Sequence, residues 1–203
     1  MKVLLINGSP HEHGCTYTAL NEIANELHSL GVESEIFYIG KNPVRGCIAC
    51  LGCRNNGGKC VFNDDACNAL AAKMKEADGI VIGSPVYYAG PNGALTALLD
   101  RAFYSAQADW SYKPAAAVVS CRRGGASAAF DRLNKYFTIN RMPVVSSQYW
   151  NSVHGNTPEE VQRDEEGLQT MRLLARNMAW MLKGLNGEHP QEESQKKRTN
   201  FIR

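Results

Sequence analysis

The sequence predicts an α/β fold: a three-layer sandwich with a five-stranded parallel sheet and helices on both faces. Three observations carry that expectation. Short apolar runs rich in Val and Ile alternate with stretches whose apolar residues recur at helical spacing. Parallel strands need crossover helices, so this alternation dictates a sheet covered on both sides. A chain of 203 residues with 44% hydrophobic and 21% charged residues suits one globular domain with a substantial core.

Lys2–Asn7 (KVLLIN) reads as a buried first strand. Thr16–Leu30 places Leu20, Ile23, Ala24, Leu27 and Leu30 on one helical face, and Gly31 closes the helix. Ser34–Ile39 is the second strand. Asp64 or Asp65 caps a helix bearing Ala66, Leu70, Met74 and Ala77. Gly79–Gly83 (GIVIG) is the third strand, with a helix through Tyr104 after it. Ala115–Ser120 is the fourth, followed by a helix after Gly124 and Gly125, and Pro143–Ser147 is expected as the fifth. Thr157-Pro158-Glu159-Glu160 is a capping-box start with Pro at the first helical position. Leu168, Met171, Ala175, Met178 and Leu182 extend that helix to Gly184, with Gly167 as an expected break. The domain then covers 1–184, and the polar segment 185–203 reads as a mobile tail whose Phe201 and Ile202 can dock on a neighbour. The flavodoxin-like order 2-1-3-4-5 is the usual solution for five such strands.

Composition excludes several classes. Lys+Arg number 22 against 20 for Asp+Glu, which gives nucleic acid or an acidic membrane no special claim. The longest apolar runs, such as Ala115–Cys121, are too short to span a bilayer. MKVLLINGSP is too short in its apolar part for a signal peptide, so a cytoplasmic location is expected. Seven cysteines, an odd number, argue for reduced thiols or metal ligands over a disulfide framework.

Ligands of such sheets bind at the carboxyl ends of the strands, which selects three loops. The first, GSPHEHGCT (Gly8–Thr16), joins a strand to a helix, where backbone N–H groups favour phosphate and Ser9, Thr16 and Thr18 add hydroxyls. It is neither a Walker A loop nor a dinucleotide fingerprint, because the GK[ST] lysine and GxGxxG are missing. The second, Gly83–Arg101, holds Pro85, Gly90, Pro91 and Gly93 in a rigid turn. Tyr87 and Tyr88 offer flat walls for a planar ring, or a dimer surface, and Asn92-Gly93 begins a helix. The third, SCRRGGAS from Ser120, pairs Gly124 and Gly125 for close backbone approach and offers Arg122 or Arg123 to electron density on a ring. Together they describe a flavin mononucleotide (FMN) pocket.

These motifs (LLINGSPHEHGCT, ADGIVIGSPVYYAGPNGALTALLDR and SCRRGG) resemble the NADPH-dependent FMN reductase family of flavodoxin-like proteins. With its cysteine-rich segment the chain is most similar to the iron–sulfur flavoproteins of that family. The resemblance implies FMN bound by the three loops, a homodimer or dimer of dimers, and sites completed across subunits. It transfers phosphate binding to Ser9, Gly14, Cys15 and Thr16, with His11 standing where many relatives carry a basic residue. Ring contacts fall to Pro85, Val86, Tyr87 and Tyr88, followed by Asn92, Gly93, Arg122, Gly124 and Gly125.

The segment GCIACLGCRNNGGKC spaces Cys47, Cys50, Cys53 and Cys60 as C-x2-C-x2-C-x6-C. Successive C-x2-C steps set thiolates around one small object, as in ferredoxin-type loops, and Asn55–Gly58 lets Cys60 swing back as a fourth ligand. Separated pairs, the usual structural zinc pattern, are absent. A [4Fe–4S] cluster and four reduced thiols near a subunit contact both stand open. Cys67 and Cys121 are expected as buried small residues, and Cys15 has no assigned redox role. Trp150 is expected in core or dimer packing.

The leading expectation is an FMN-dependent oxidoreductase reduced by NAD(P)H, with a flavin, quinone-like or nitro compound as small-molecule acceptor and no catalytic side chain required. The competing expectations are an electron-transfer module fed by ferredoxin and a flavin-free regulatory protein.

Overall fold

Gly79, at the start of the third strand, pairs with Val3 of the first, and that pairing sets the centre of the sheet. The computed structural model describes residues 1–185 and Pro190, so the tail expectations for Phe201 and Ile202 lie outside the described residues. The elements are β1 (Lys2–Asn7), α1 (Cys15–Ser29), β2 (Glu33–Tyr38), α2 (Cys67–Glu76), β3 (Gly79–Tyr87), β4 (Gly90–Pro91), α3 (Gly93–Ser105), β5 (Ala115–Cys121), α4 (Ala126–Ile139), β6 (Ser152–His154), α5 (Pro158–Val161) and α6 (Glu165–Gly184), with a short 3-10 turn at Gly52–Asn55. The parallel strands lie in the order β2-β1-β3-β5-β6, and β4 pairs antiparallel with the end of β3. Counted among parallel strands alone, this is the expected 2-1-3-4-5 order.

Strand periodicity divides the core. On one face Leu4, Ile6, Ile80, Ile82, Ala117 and Val119 pack against α2, α3 and α4. On the other, Val3, Leu5, Val81, Ala116 and Val118 meet Leu20, Ile23 and Leu27 of α1 and Leu174 and Met178 of α6. Each fully buried large apolar side chain contributes roughly 1.5–3 kcal/mol. Ion pairs Arg172–Glu22 (2.5 Å) and Arg176–Glu26 (2.6 Å) run along the seam between α1 and α6.

Three expectations are corrected. Pro143–Ser147 is not the fifth strand; it makes a single bridge, Ala115 to Val144, and the edge position is resumed by Ser152–His154 beside Val119–Cys121. Asn151 splits the strand. Its side chain, 1% exposed, donates to the Ala117 carbonyl and accepts from Ser147 Oγ, while its own carbonyl takes the Val119 N–H. Residues 146–150 loop outward, leaving Tyr149 and Trp150 exposed, so Trp150 is not core of this chain. Second, β3 continues four residues past Gly83 into a hairpin with β4. Third, the last helix breaks before Gly167. Asp164 Oδ1 accepts from Gly167 N (2.9 Å), starting α6 afresh, and a Cβ at Gly167 would lie 2.2 Å from Asp164 Oδ2.

Candidate functional site

The carboxyl rim of the sheet is built by loops that hold one another. Gly8 N donates to the Gly83 carbonyl at 2.9 Å, and a Cβ at Gly8 would sit 2.4 Å from Leu95 Cδ2, so only glycine allows β1 to exit against β3. Asn7 Oδ1 then accepts from Ser9 N, and Ser9 Oγ accepts from His11 N, curling the chain toward α1. That helix begins at Cys15 behind an extended Gly14, with no side-chain cap and no acid in its first turn. Its leading N–H groups have no side-chain acceptor, the arrangement that favours a phosphate.

Three ties fix the loops pairwise. Thr16, 1% exposed, shares a 2.8 Å hydroxyl–hydroxyl hydrogen bond with Ser120, joining the first loop to the third. Asn92 Nδ2 donates to the Gly8 carbonyl (2.7 Å), joining the second to the first, while Asn92 Oδ1 accepts from Ala94 N and caps α3. Gly125, at φ +92°, joins the third to the second: a Cβ there would stand 2.9 Å from Ala89 Cα and 3.1 Å from Val86 Cγ1. The hydroxyls of Ser9, Thr16 and Ser120 thus face inward and brace the rim, leaving main-chain amides as the outward donors.

The ring-contact candidates divide. Pro85 and Val86 are half-buried, whereas Tyr87 and Tyr88 stand exposed on the β3–β4 turn. Tyr88 and Ala89 both adopt positive φ (50° and 57°), the conformation of a tight hairpin turn held by non-glycine residues. Gly93, Arg122 and Gly124 are exposed as well.

A fourth loop completes the groove; of its residues the sequence marks Thr157 as a helix start and leaves Asn156 without a role. Asn156 and Thr157 border the same groove as His11, Gly14 and Cys15, and Tyr38 and Lys41 line it as well. Gly155 N donates to the Cys121 carbonyl, and Asn156 N to Glu160 Oε2. Tyr38 donates to the Pro10 carbonyl (2.7 Å), tying it to the first loop. Lys41 brings a cation to the groove, where Glu12 also brings a carboxylate, so a basic group lines it although position 11 is His. Burial pushes the Cys15 thiol up, aided by Glu160 and Glu159 and against its own backbone N–H, so it stays protonated. Burial likewise raises Cys121, and raises Cys67 to about 12.

The second region is the cysteine loop. No disulfide forms: Cys47 and Cys50 are exposed, Cys60 half-buried and Cys53 buried. All four nevertheless line one small, apolar cavity, with Phe62, Arg101 and Tyr104 among its walls. Among the described residues no three His, Cys, Asp or Glu groups are already arranged as a metal site. The donor chemistry fits a thiolate-ligated cluster all the same. Arg101 Nε donates to Cys60 Sγ at 3.3 Å, and Ser105 Oγ is buried at the cavity wall with no hydrogen-bond partner. Ala49 and Leu51 at φ 53° and 58°, with Gly57 and Gly58 also at positive φ, turn the backbone tightly around the space.

The sequence pattern of the NADPH-dependent FMN reductase family matches residues 1–157. An iron-sulfur flavoprotein of Methanocaldococcus jannaschii is 34% identical over 191 residues, covering 90% of this chain and 98% of that protein. Solved structures share the fold, two of them as follows. RosB with a bound 8-demethyl-8-formylriboflavin-5'-phosphate intermediate superposes with a TM-score of 0.72 at 14% identity, covering 100% of this chain and 95% of that one. FerB, an NAD(P)H:(acceptor) oxidoreductase from Paracoccus denitrificans, gives 0.65 at 18% identity, covering 90% and 97%. Among the described residues no helix is long and apolar enough to cross a membrane.

Proposed function

This chain belongs to the NADPH-dependent FMN reductase family, and from that premise we propose that it binds FMN at the carboxyl rim, accepts reducing equivalents from NAD(P)H and passes them to a small-molecule acceptor. FMN, when bound, would supply the redox chemistry, serving as hydride acceptor from NAD(P)H and as electron donor to the acceptor. The residues bind and orient. The N–H groups at the start of α1 take the phosphate, with Lys41 offsetting its charge in the groove. Pro85, Val86, Gly124 and Gly125 would hold the ring, and the exposed Tyr87 and Tyr88 would add flat walls for it. No side chain is asked to act as acid or base. The observation that carries this reading is the set of three pairwise ties, Thr16–Ser120, Asn92–Gly8 and Gly125 against Val86, which preorganise the rim.

A second reading is favoured by the four cysteines lining one cavity: a [4Fe–4S] cluster held by Cys47, Cys50, Cys53 and Cys60, with ferredoxin as a source of electrons. The iron-sulfur name of the Methanocaldococcus relative supports it. A homodimer or dimer of dimers belongs to both readings, with the exposed Tyr88 and Trp150 as groups a second subunit would cover.

An anaerobic visible spectrum with iron and sulfide analysis tests both cofactors. The expected outcome is a yellow-brown protein with flavin absorbance near ~450 nm that bleaches rapidly on NADPH addition. A colourless chain that takes up no added FMN would overturn the proposal. Bleaching by reduced ferredoxin but not by NADPH would select the second reading over the first.

A further inference from the structure

Helix α3 carries two buried polar groups, four residues apart on one face, that the flavin rim does not use: Arg101, 1% exposed, and Ser105, 2% exposed. Both line the cavity of the four cysteines. Each nitrogen of the Arg101 guanidinium donates to the segment around that cavity, in four hydrogen bonds. Nε reaches Cys60 Sγ (3.3 Å), Nη1 reaches the Arg45 carbonyl (3.2 Å) and the Asp65 carboxylate, and Nη2 reaches the Phe62 carbonyl (3.2 Å). The Asp65 side chain is buried beside it. Ser105 Oγ meets no acceptor among the described residues. Leaving a buried hydroxyl unpaired costs about 1–3 kcal/mol, so its retention points to an acceptor that enters the cavity.

We propose that Arg101 and Ser105 are positioning residues of the cysteine site, donating N–H and O–H hydrogen bonds to sulfur there, seating Cys60 as a ligand and raising the reduction potential of the cluster. Hydrogen bonds to ligand sulfur favour the more negatively charged, reduced state, so removing them drives the potential negative. The inference rests on the reading of the four cysteines as cluster ligands. Lysine is no substitute for arginine here: one ammonium on a flexible stem cannot hold a carboxylate, two carbonyls and a sulfur in one plane. The charge facing Asp65 would survive in Arg101→Lys, while the fork would not.

Two measurements on the full-length chain test it. In chelator-treated protein, alkylation of individual thiols is followed by mass spectrometry. Wild-type Cys60 is expected to react more slowly than the exposed Cys47 and Cys50, and Arg101→Lys is expected to speed Cys60 alone by about tenfold, the size of one lost hydrogen bond to a charged donor. Equal Cys60 rates in wild type and variant would overturn the seating role whether or not a cluster exists. In anaerobically reconstituted protein, spectroelectrochemical titration is expected to give a more negative cluster potential for Arg101→Lys and, to a lesser degree, for Ser105→Ala, with iron and sulfide retained. Unchanged potentials in both would overturn the inference; should Arg101→Lys fail to fold, Ser105→Ala decides alone, because its hydroxyl bonds none of the described residues. A wild-type chain that takes up no iron would remove the cluster and its potential together, while the alkylation contrast still decides whether Arg101 seats Cys60.

Discussion

The flavin rim and the cysteine loop lie in one chain but are held by opposite means. The rim inherits its geometry from the sheet: β1, β3 and β5 are in parallel register through Asn7–Gly83 and Pro85–Ser120, so the loops that leave them start from fixed positions. The cysteine loop, between Tyr38 and Cys67, has one 3-10 turn and no strand partner. Side chains reaching in from α2, from α3 and from Gln107 just beyond α3 clasp it instead. Asn68 Oδ1 accepts from Cys60 N (2.8 Å) and its Nδ2 donates to the carbonyls of Cys60 and Phe62, Gln107 donates to the Cys53 carbonyl, and Arg101 bonds Arg45, Cys60, Phe62 and Asp65. A site inherited from register is preformed, whereas a site clasped by side chains depends on a few hydrogen bonds and on what fills it.

Breaking the register should therefore do the most harm. Gly8→Val puts a branched side chain where a Cβ alone would lie 2.7 Å from the Gly83 carbonyl, which is itself bonded to Gly8 N. Neither strand end can yield without parting β1 from β3. The expected loss is roughly 3 kcal/mol in denaturant unfolding, at the top of the range for overpacking, together with loss of FMN. A variant that keeps both wild-type stability and its yellow colour would mean the rim is not built by this contact.

The two asparagines sharpen the contrast. Asn92→Ala removes the cap of α3 and the tie to Gly8, an expected global cost of about 1–2 kcal/mol with weakened FMN retention. Asn68→Ala removes three hydrogen bonds, but all of them go to the loop. Its expected effect is local: faster amide hydrogen exchange across residues 47–66, with the thermal midpoint moved less than by Asn92→Ala. Equal midpoint shifts, with no exchange confined to the loop, would show that the two regions are one cooperative unit.

The same division explains what the sequence made legible. Strands β1, β3 and β5 are apolar runs buried on both faces, so KVLLIN, GIVIG and AAAVVS announced themselves, and with them the rim loops. The fifth strand was misplaced because PVVSS has the right composition, while the actual edge is finished by SVH after Asn151 interrupts it; a buried asparagine replacing ladder bonds leaves no periodic signal. The β3–β4 hairpin was missed because Tyr88-Ala89 is not a usual pair for a turn with both φ positive. Within the site, the cysteine spacing was visible, but Arg101 and Asp65 lie 36 residues apart, and only the packing of α3 against the loop brings them together. Lys41 and Asn156 escaped for the same reason: each is an ordinary surface residue until the fold sets it in one groove with Gly14.

The smallest expected effect concerns the join between the two regions. Glu35, on β2, bonds Lys2 of β1 at 2.5 Å and Lys73 of α2 at 2.7 Å, linking the helix that follows the cysteine loop to the sheet. Hydrogen bonds from Lys2 and then Lys73 hold the Glu35 carboxyl below its ordinary value of 4.5. Its contribution to stability is therefore fully present above that value and is lost as pH falls through the lower folded one. The groups are partly exposed and screened by salt, so Glu35→Gln is expected to lower the thermal midpoint at pH 7 by about 1 °C or less. That difference should shrink toward zero as the pH is lowered below 4.5 and should also shrink in high salt. A deficit in the variant that persisted unchanged through the acid range would assign Glu35 a packing role instead, and would leave the junction to the apolar contacts of α2 alone.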